Sequence, residues 1–162
     1  MPVDRRLRLL RFLDIVKKPL DMNTFDKRLI LQKMVYLSQE MGVQLGYGYG
    51  WYSHGPYSPD LTKNAFELSN LVGSIPLSDV SFEKSAIGGM KKLLAEVDQL
   101  PEREEGYWLE LLSSLHFIFK YAHPKISSET EAIDRLMKSK PGKFDDEDAK
   151  QGFKILHKYK LV

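Results

Sequence analysis

The chain has 162 residues, a formal net charge of +2 and no cysteine, with 43% hydrophobic and 28% charged residues. That length suits one compact domain with a sizeable core, and the composition is that of a globular protein rather than a disordered one. Within the chain, disulfides, thiolate metal sites and cysteine nucleophiles are excluded. No run approaches the ~20 apolar residues of a membrane helix, and the opening MPVDRRLRLLRFL lacks the uninterrupted apolar stretch and cleavage site of a secretory signal, so a soluble cytoplasmic protein is expected.

Most of the chain reads as helix. Over residues 5–17, Leu7, Leu10, Phe12, Leu13 and Val16 fall on one apolar side of a first helix, which Pro19 stops. Its basic residues are numerous: Arg5, Arg6, Arg8, Arg11, Lys17 and Lys18 oppose Asp4 and Asp14. They form either a solvated face or a phosphate-binding stripe. Asn23 or Thr24 caps a second helix running to about Met41, with Asp26 in its first turn and Gly42 past its end.

Residues 42–58 change character. In GVQLGYGYGWYSHGPYS, Tyr47, Tyr49 and Trp51 alternate with Gly48 and Gly50, a period of two. This predicts a short strand near 47–53, one half of a hairpin, and a sharp turn at Gly55-Pro56. Ser58 as N-cap and Pro59 in the first helical position open a third helix to about Val72, with Leu61, Ala65, Leu68 and Leu71 or Val72 expected to be buried.

Ser81 is expected to cap a fourth helix to about Leu100. Gly88-Gly89 inside it costs about 1 kcal/mol per glycine against alanine, so either the helix breaks there or another backbone packs closely. Pro101 opens a strongly apolar segment to about Ala122, with Tyr107, Trp108, Leu111, Leu112, Leu115, Ile118 and Phe119; this is expected to be the central helix. Ser127 or Ser128 caps a short helix to about Lys138. After Pro141-Gly142, Asp145 or Asp146 begins the last helix, whose early acids and late lysines suit the helix dipole. The expected fold is mainly α: a single compact domain of six to seven helices with a short β-strand or hairpin between the second and third.

Obvious chemistry is sparse. His116 and His123 are seven residues apart, without the i, i+4 pair and third ligand of a helical zinc site, and His157 lies on a lysine-rich helix. His54, with Ser53, Ser58 and Asp60 nearby, invites a Ser/His/Asp reading, but triad members come from separate elements; a turn histidine bonding local backbone is the plainer expectation. The Gly-x-Gly-x-Gly at 46–50 lacks the strand-loop-helix setting of a dinucleotide site. No cofactor, metal or catalytic residue is therefore expected.

The densest feature is five aromatics within eleven residues: Tyr47, Tyr49, Trp51, Tyr52 and Tyr57. Such rings dominate protein interfaces and also stack on unpaired bases; alternatively, they seal the β element onto the helices. Two blocks here, Leu31-Gln32-Lys33-Met34-Val35-Tyr36-Leu37-Ser38-Gln39 and Trp51-Tyr52-Ser53-His54-Gly55-Pro56-Tyr57-Ser58-Pro59, resemble the Panacea (SocA-like) domain and the related YwgA-like bacterial and archaeal proteins. The match covers residues 28–61, with the Tyr-Ser-Pro-Asp-Leu ending nearer the YwgA-like version. The resemblance implies a non-enzymatic helical module that binds a protein partner, a toxin or the client of a proteolytic adaptor.

A physical reading accompanies it. Gln32, Tyr36 and Gln39 fall at i, i+4 and i+7, one polar stripe on the second helix. Glutamine both donates and accepts, so the stripe either holds the Trp51–Pro56 backbone or forms a solvated face. On the first view Gln32, Tyr36, Gln39, Gly55 and Pro56 are scaffold. Tyr47, Tyr49, Trp51, Tyr52, His54 and Tyr57 then present a protein-binding surface. The competing reading is a winged-helix-like DNA-binding regulator with residues 45–57 as wing, in which the early arginines or Lys63 converge on one surface. A hydrolase using His54 ranks below both.

Overall fold

The computed structural model describes residues 4–71, 77 and 79–162. Among them run seven helices: α1 (Arg5–Val16), α2 (Phe25–Glu40), α3 (Pro59–Ser69), α4 (Lys84–Asp98), α5 (Tyr107–Tyr121), α6 (Glu129–Ser139) and α7 (Asp146–Lys158). Between α2 and α3 lies one antiparallel hairpin, β1 (Gly50–Tyr52) and β2 (Gly55–Tyr57), with Gly50 opposite Tyr57, Trp51 opposite Pro56 and Tyr52 opposite Gly55. The single mainly α domain expected from the sequence is the observed fold.

The helix starts follow local chemistry. Thr24, Ser58, Ser128 and Asp145 each accept a backbone N–H of their helix's first turn, relieving donors that no intrahelical carbonyl reaches. The fourth helix departs from expectation: Glu83, not Ser81, is its cap, and its carboxylate takes the Ser85 and Ala86 amides. Gly88 and Gly89 neither break that helix nor meet another backbone. The space over Gly89 is taken by the methyl end of Met41, and that over Gly88 is open.

Helix α5 is the centre of the domain, with ten buried residues, and packs against α2, α6, α7 and β2. Helix α2 is buried continuously from Leu31 to Ser38, wider than a single amphipathic stripe. Between these helices, the buried His116 imidazole bridges Tyr36 and the Leu161 carbonyl. The carbonyl only accepts, so Nε2 carries the proton and Nδ1 accepts from the Tyr36 hydroxyl at 2.7 Å. Burial pushes His116 down to about 4, holding it neutral.

The strand prediction is corrected in detail. Residues 43–49 keep the period of two, with Val43, Leu45 and Tyr47 buried between exposed Gln44, Gly46 and Gly48, yet they pair with no strand. Side chains meet their backbone instead: Arg8 donates to the Gln44 carbonyl, Arg5 to the Gly46 carbonyl, and Gln39 grips Tyr47. The reversal falls at Ser53-His54, and Gly55-Pro56 belongs to the returning strand.

A candidate protein-binding surface on the braced hairpin

Two glutamines clamp the chain on either side of the hairpin. Gln39 gives Nε2 to the Tyr47 carbonyl and takes the Tyr47 amide on Oε1, both at 2.8 Å. Gln32 does the same to Ser58, at 2.9 and 2.8 Å, and also donates to the Thr62 hydroxyl. The clamped residues, Tyr47 and Ser58, flank the Trp51–Pro56 stretch rather than lying in it. Tyr36, the middle of the stripe, is buried and packs edge-on against Tyr49.

The hairpin itself is held by lysines that sequence reasoning missed. Lys33, 1% exposed, donates to the Pro56 carbonyl at 2.6 Å, and Lys140 donates to the Ser53 carbonyl at 2.7 Å. Glu110, buried in the first turn of α5, accepts from Lys140 at 3.2 Å and pairs with Lys143 at 2.9 Å. Desolvation drives Lys33 down to about 7, with Lys140 and Lys143 pushing the same way and Glu110 opposing; Lys140 is lowered too, first by burial. The available signal was a charge inside each apolar run: Lys33 between Leu31 and Met34, Glu110 between Leu109 and Leu111.

Gly55 fits this packing in two ways. Its φ of +87° is the left-handed region that glycine enters without penalty, and a Cβ there would overlap the Ser114 hydroxyl. Ser114 Oγ is itself buried without a hydrogen-bond partner.

The braces divide the predicted aromatic surface. Tyr47 is buried: its hydroxyl donates to Asn64 at 3.0 Å and Arg5 lies over its ring. Tyr49 is half-buried, donating to the Gln32 carbonyl at 2.8 Å, with its pKa well raised by desolvation. Both were expected on the surface. Contacts to Asn64 and Arg5 hold the first inward and α2 holds the second, so neither presents a free ring to a partner.

Trp51 and Tyr52 are exposed, at 39% and 50%, His54 is exposed at the tip, and Tyr57 is half-buried. Tyr52 and Tyr57 meet edge to face at 5.2 Å. Two further exposed rings join them, Phe25 (51%) at the start of α2 and Phe66 (42%) on α3. Phe25 stands edge-on to His54 at 4.9 Å. Tyr52, His54, Tyr57, Phe25 and Phe66 wall a hollow of about 290 Å³. Across the hairpin, Trp51 leans on Phe117, which contacts Tyr121.

His54 is pushed below its ordinary range, first by partial desolvation and then by Lys143, Lys140 and Lys33 against the pull of Glu110. No triad forms around it: Ser58 caps α3 and Asp60 pairs with Arg5 at 3.3 Å. The early arginines are engaged with groups of this chain. Arg6 pairs with Asp4 and Glu67, and Arg11 with Asp14 and the Val80 carbonyl. With Arg5 and Arg8 on the 44–46 carbonyls, they tie α1 to its neighbours. Among the described residues, no helix is long and apolar enough to cross a membrane.

Comparisons with protein-family models, with curated proteins and with solved structures return no match; the likeness of residues 28–61 to the Panacea and YwgA-like proteins rests on those residues themselves.

Proposed function

We propose that the chain is a non-enzymatic protein-binding module, antitoxin- or adaptor-like, acting in a toxin–antitoxin or defence setting. The observation that carries this reading is the exposure of Trp51, Tyr52, Phe25 and Phe66 around a hairpin held by Lys33 and Lys140 and clamped on its flanks by Gln32 and Gln39. Exposed rings on a rigid support bind with little ordering penalty, and aromatic anchors of this kind dominate interface energetics.

Co-purification of the native chain and of Tyr52→Ala from their own cell tests it. A stoichiometric protein that withstands high salt and is lost from Tyr52→Ala, while that variant keeps the wild-type melting temperature, is the expected result. Nucleic acid released by salt as the sole companion, or a partner held equally by both chains, refutes it.

A further inference from the structure

The hollow beside the hairpin tip has a chemistry that specifies its occupant, on the premise that the module binds protein. Its volume, about 290 Å³, lies at the floor of the ~300–1,000 Å³ span of small-molecule sites. One aromatic side chain fits within it. The walls are rings of Phe25, Tyr52, Tyr57 and Phe66 with His54. Two pairs of them already meet edge to face, the geometry that an incoming ring extends.

The charged side chains that line it are of one sign. No carboxylate lines the hollow, whereas Arg28 and Lys33 do. Lys63, exposed and three residues before Phe66 on α3, shares that residue's helix face. Among the described residues, none of these three cations has a carboxylate at ion-pair distance, in contrast to Arg5, Arg6 and Arg11. Arg28 donates to the Met22 carbonyl, which leaves donors unused on a guanidinium with five, while the buried Lys33 is engaged with the Pro56 carbonyl. Lys33 acts from behind the wall, while Arg28 and Lys63 stand where a docked chain would pass.

We infer that the hollow receives an aromatic side chain from an acidic segment of the protein partner. The ring enters among Phe25, Tyr52, Tyr57 and Phe66, and carboxylates beside it meet Arg28 and Lys63. The apolar walls select the anchor; the unpaired cations select its flanks and speed encounter.

The probe is a capped peptide, Gly-Glu-Glu-Trp-Glu-Gly, titrated into the ¹⁵N-labelled full chain. One companion carries alanine for tryptophan, another lysines for the glutamates. Saturating amide shifts at Phe25, His54 and Phe66 are expected with the first, and binding about tenfold weaker with either companion. Lys63→Glu, an exposed change, should weaken the acidic peptide and strengthen the lysine one. Equal binding of the three peptides, or no shift at about 5 mM of the first, overturns the inference. A native partner that needs Tyr52 but ignores both Phe66→Ala and Lys63→Glu also overturns it and leaves the protein-binding reading standing. Absence of any protein partner would instead remove that reading.

Discussion

Gln32→Ala is the sharpest perturbation of the brace. The change deletes an amide that both donates to the Ser58 carbonyl and accepts the Ser58 N–H, in a buried setting. The carbonyl keeps the Thr62 amide at 3.3 Å, but the Ser58 N–H has no second acceptor among the described residues. An orphaned buried donor costs about 1–3 kcal/mol, and the vacated side-chain volume adds about 1 kcal/mol. A total of about 2–4 kcal/mol lowers the melting temperature of a chain this size by about 5–12 °C. Gln32→Glu separates the two halves of the clamp. It retains an acceptor for the Ser58 N–H but, when ionised, turns an oxygen toward the Ser58 carbonyl. Its loss should therefore match that of alanine near neutral pH and shrink as acid protonates the new carboxyl. Urea unfolding with amide exchange at Ser58 reads both. A Gln32→Ala loss under about 0.5 kcal/mol, with Ser58 still protected, would refute the bracing argument.

Three further outcomes follow from the same geometry. Gly55→Ala should cost about 1–2 kcal/mol from left-handed strain alone, plus the overlap with Ser114; thermal melts of Gly55→Ala/Ser114→Ala should recover the overlap but not the strain, and full recovery would contradict the φ argument. Ser114→Ala alone, which removes a hydroxyl without a partner, should leave stability within about 0.5 kcal/mol of wild type. Lys33 has a folded pKa near 7, below its ordinary 10.5; between those values the unfolded chain binds more protons, so wild-type stability rises with pH. Relative to Lys33→Met, wild type should gain at most about 1.4 kcal/mol per pH unit across that window, and a flat difference between pH 7 and 10 in urea titrations would show that the ammonium is not desolvated.

What the sequence revealed was set by how local the determining physics is. Thr24, Ser58, Ser128 and Asp145 act within one turn, so their capping roles were readable from neighbours alone. Gln32, Tyr36 and Gln39 were visible as one stripe because helical spacing puts them there, and each makes a tertiary contact from it. The residues they grip were not visible. Tyr47 and Ser58 meet α2 only after the chain has doubled back, and the hairpin between them is held by lysines instead. Period two in residues 43–49 correctly marked alternate burial, but not whether a strand, or arginine and glutamine side chains, would satisfy the backbone.

Exposure was the least legible property. Tyr47 and Tyr52 are both tyrosines beside small or aromatic neighbours, yet Asn64 and Arg5 enclose the first while the second, touched by Tyr57, stays 50% exposed. Lys140 reaches Glu110 across 30 residues and Ser53 across 87, and no local pattern encodes those pairs. Phe66 was legible in principle: it is the apolar residue on the side of α3 away from Leu61, Ala65 and Leu68, a mismatch with the amphipathic pattern that marks a contact outside the core.

The central claim is that the outward rings of the hairpin, and not another face, meet the partner. Site-specific photo-crosslinking in the native cell addresses it, with benzoylphenylalanine placed at Tyr52 and, as a control, at the exposed Lys91 of α4. One discrete protein adduct from position 52 and none from 91 is the predicted result. Adducts to nucleic acid, or the same protein captured equally from both positions, would contradict it.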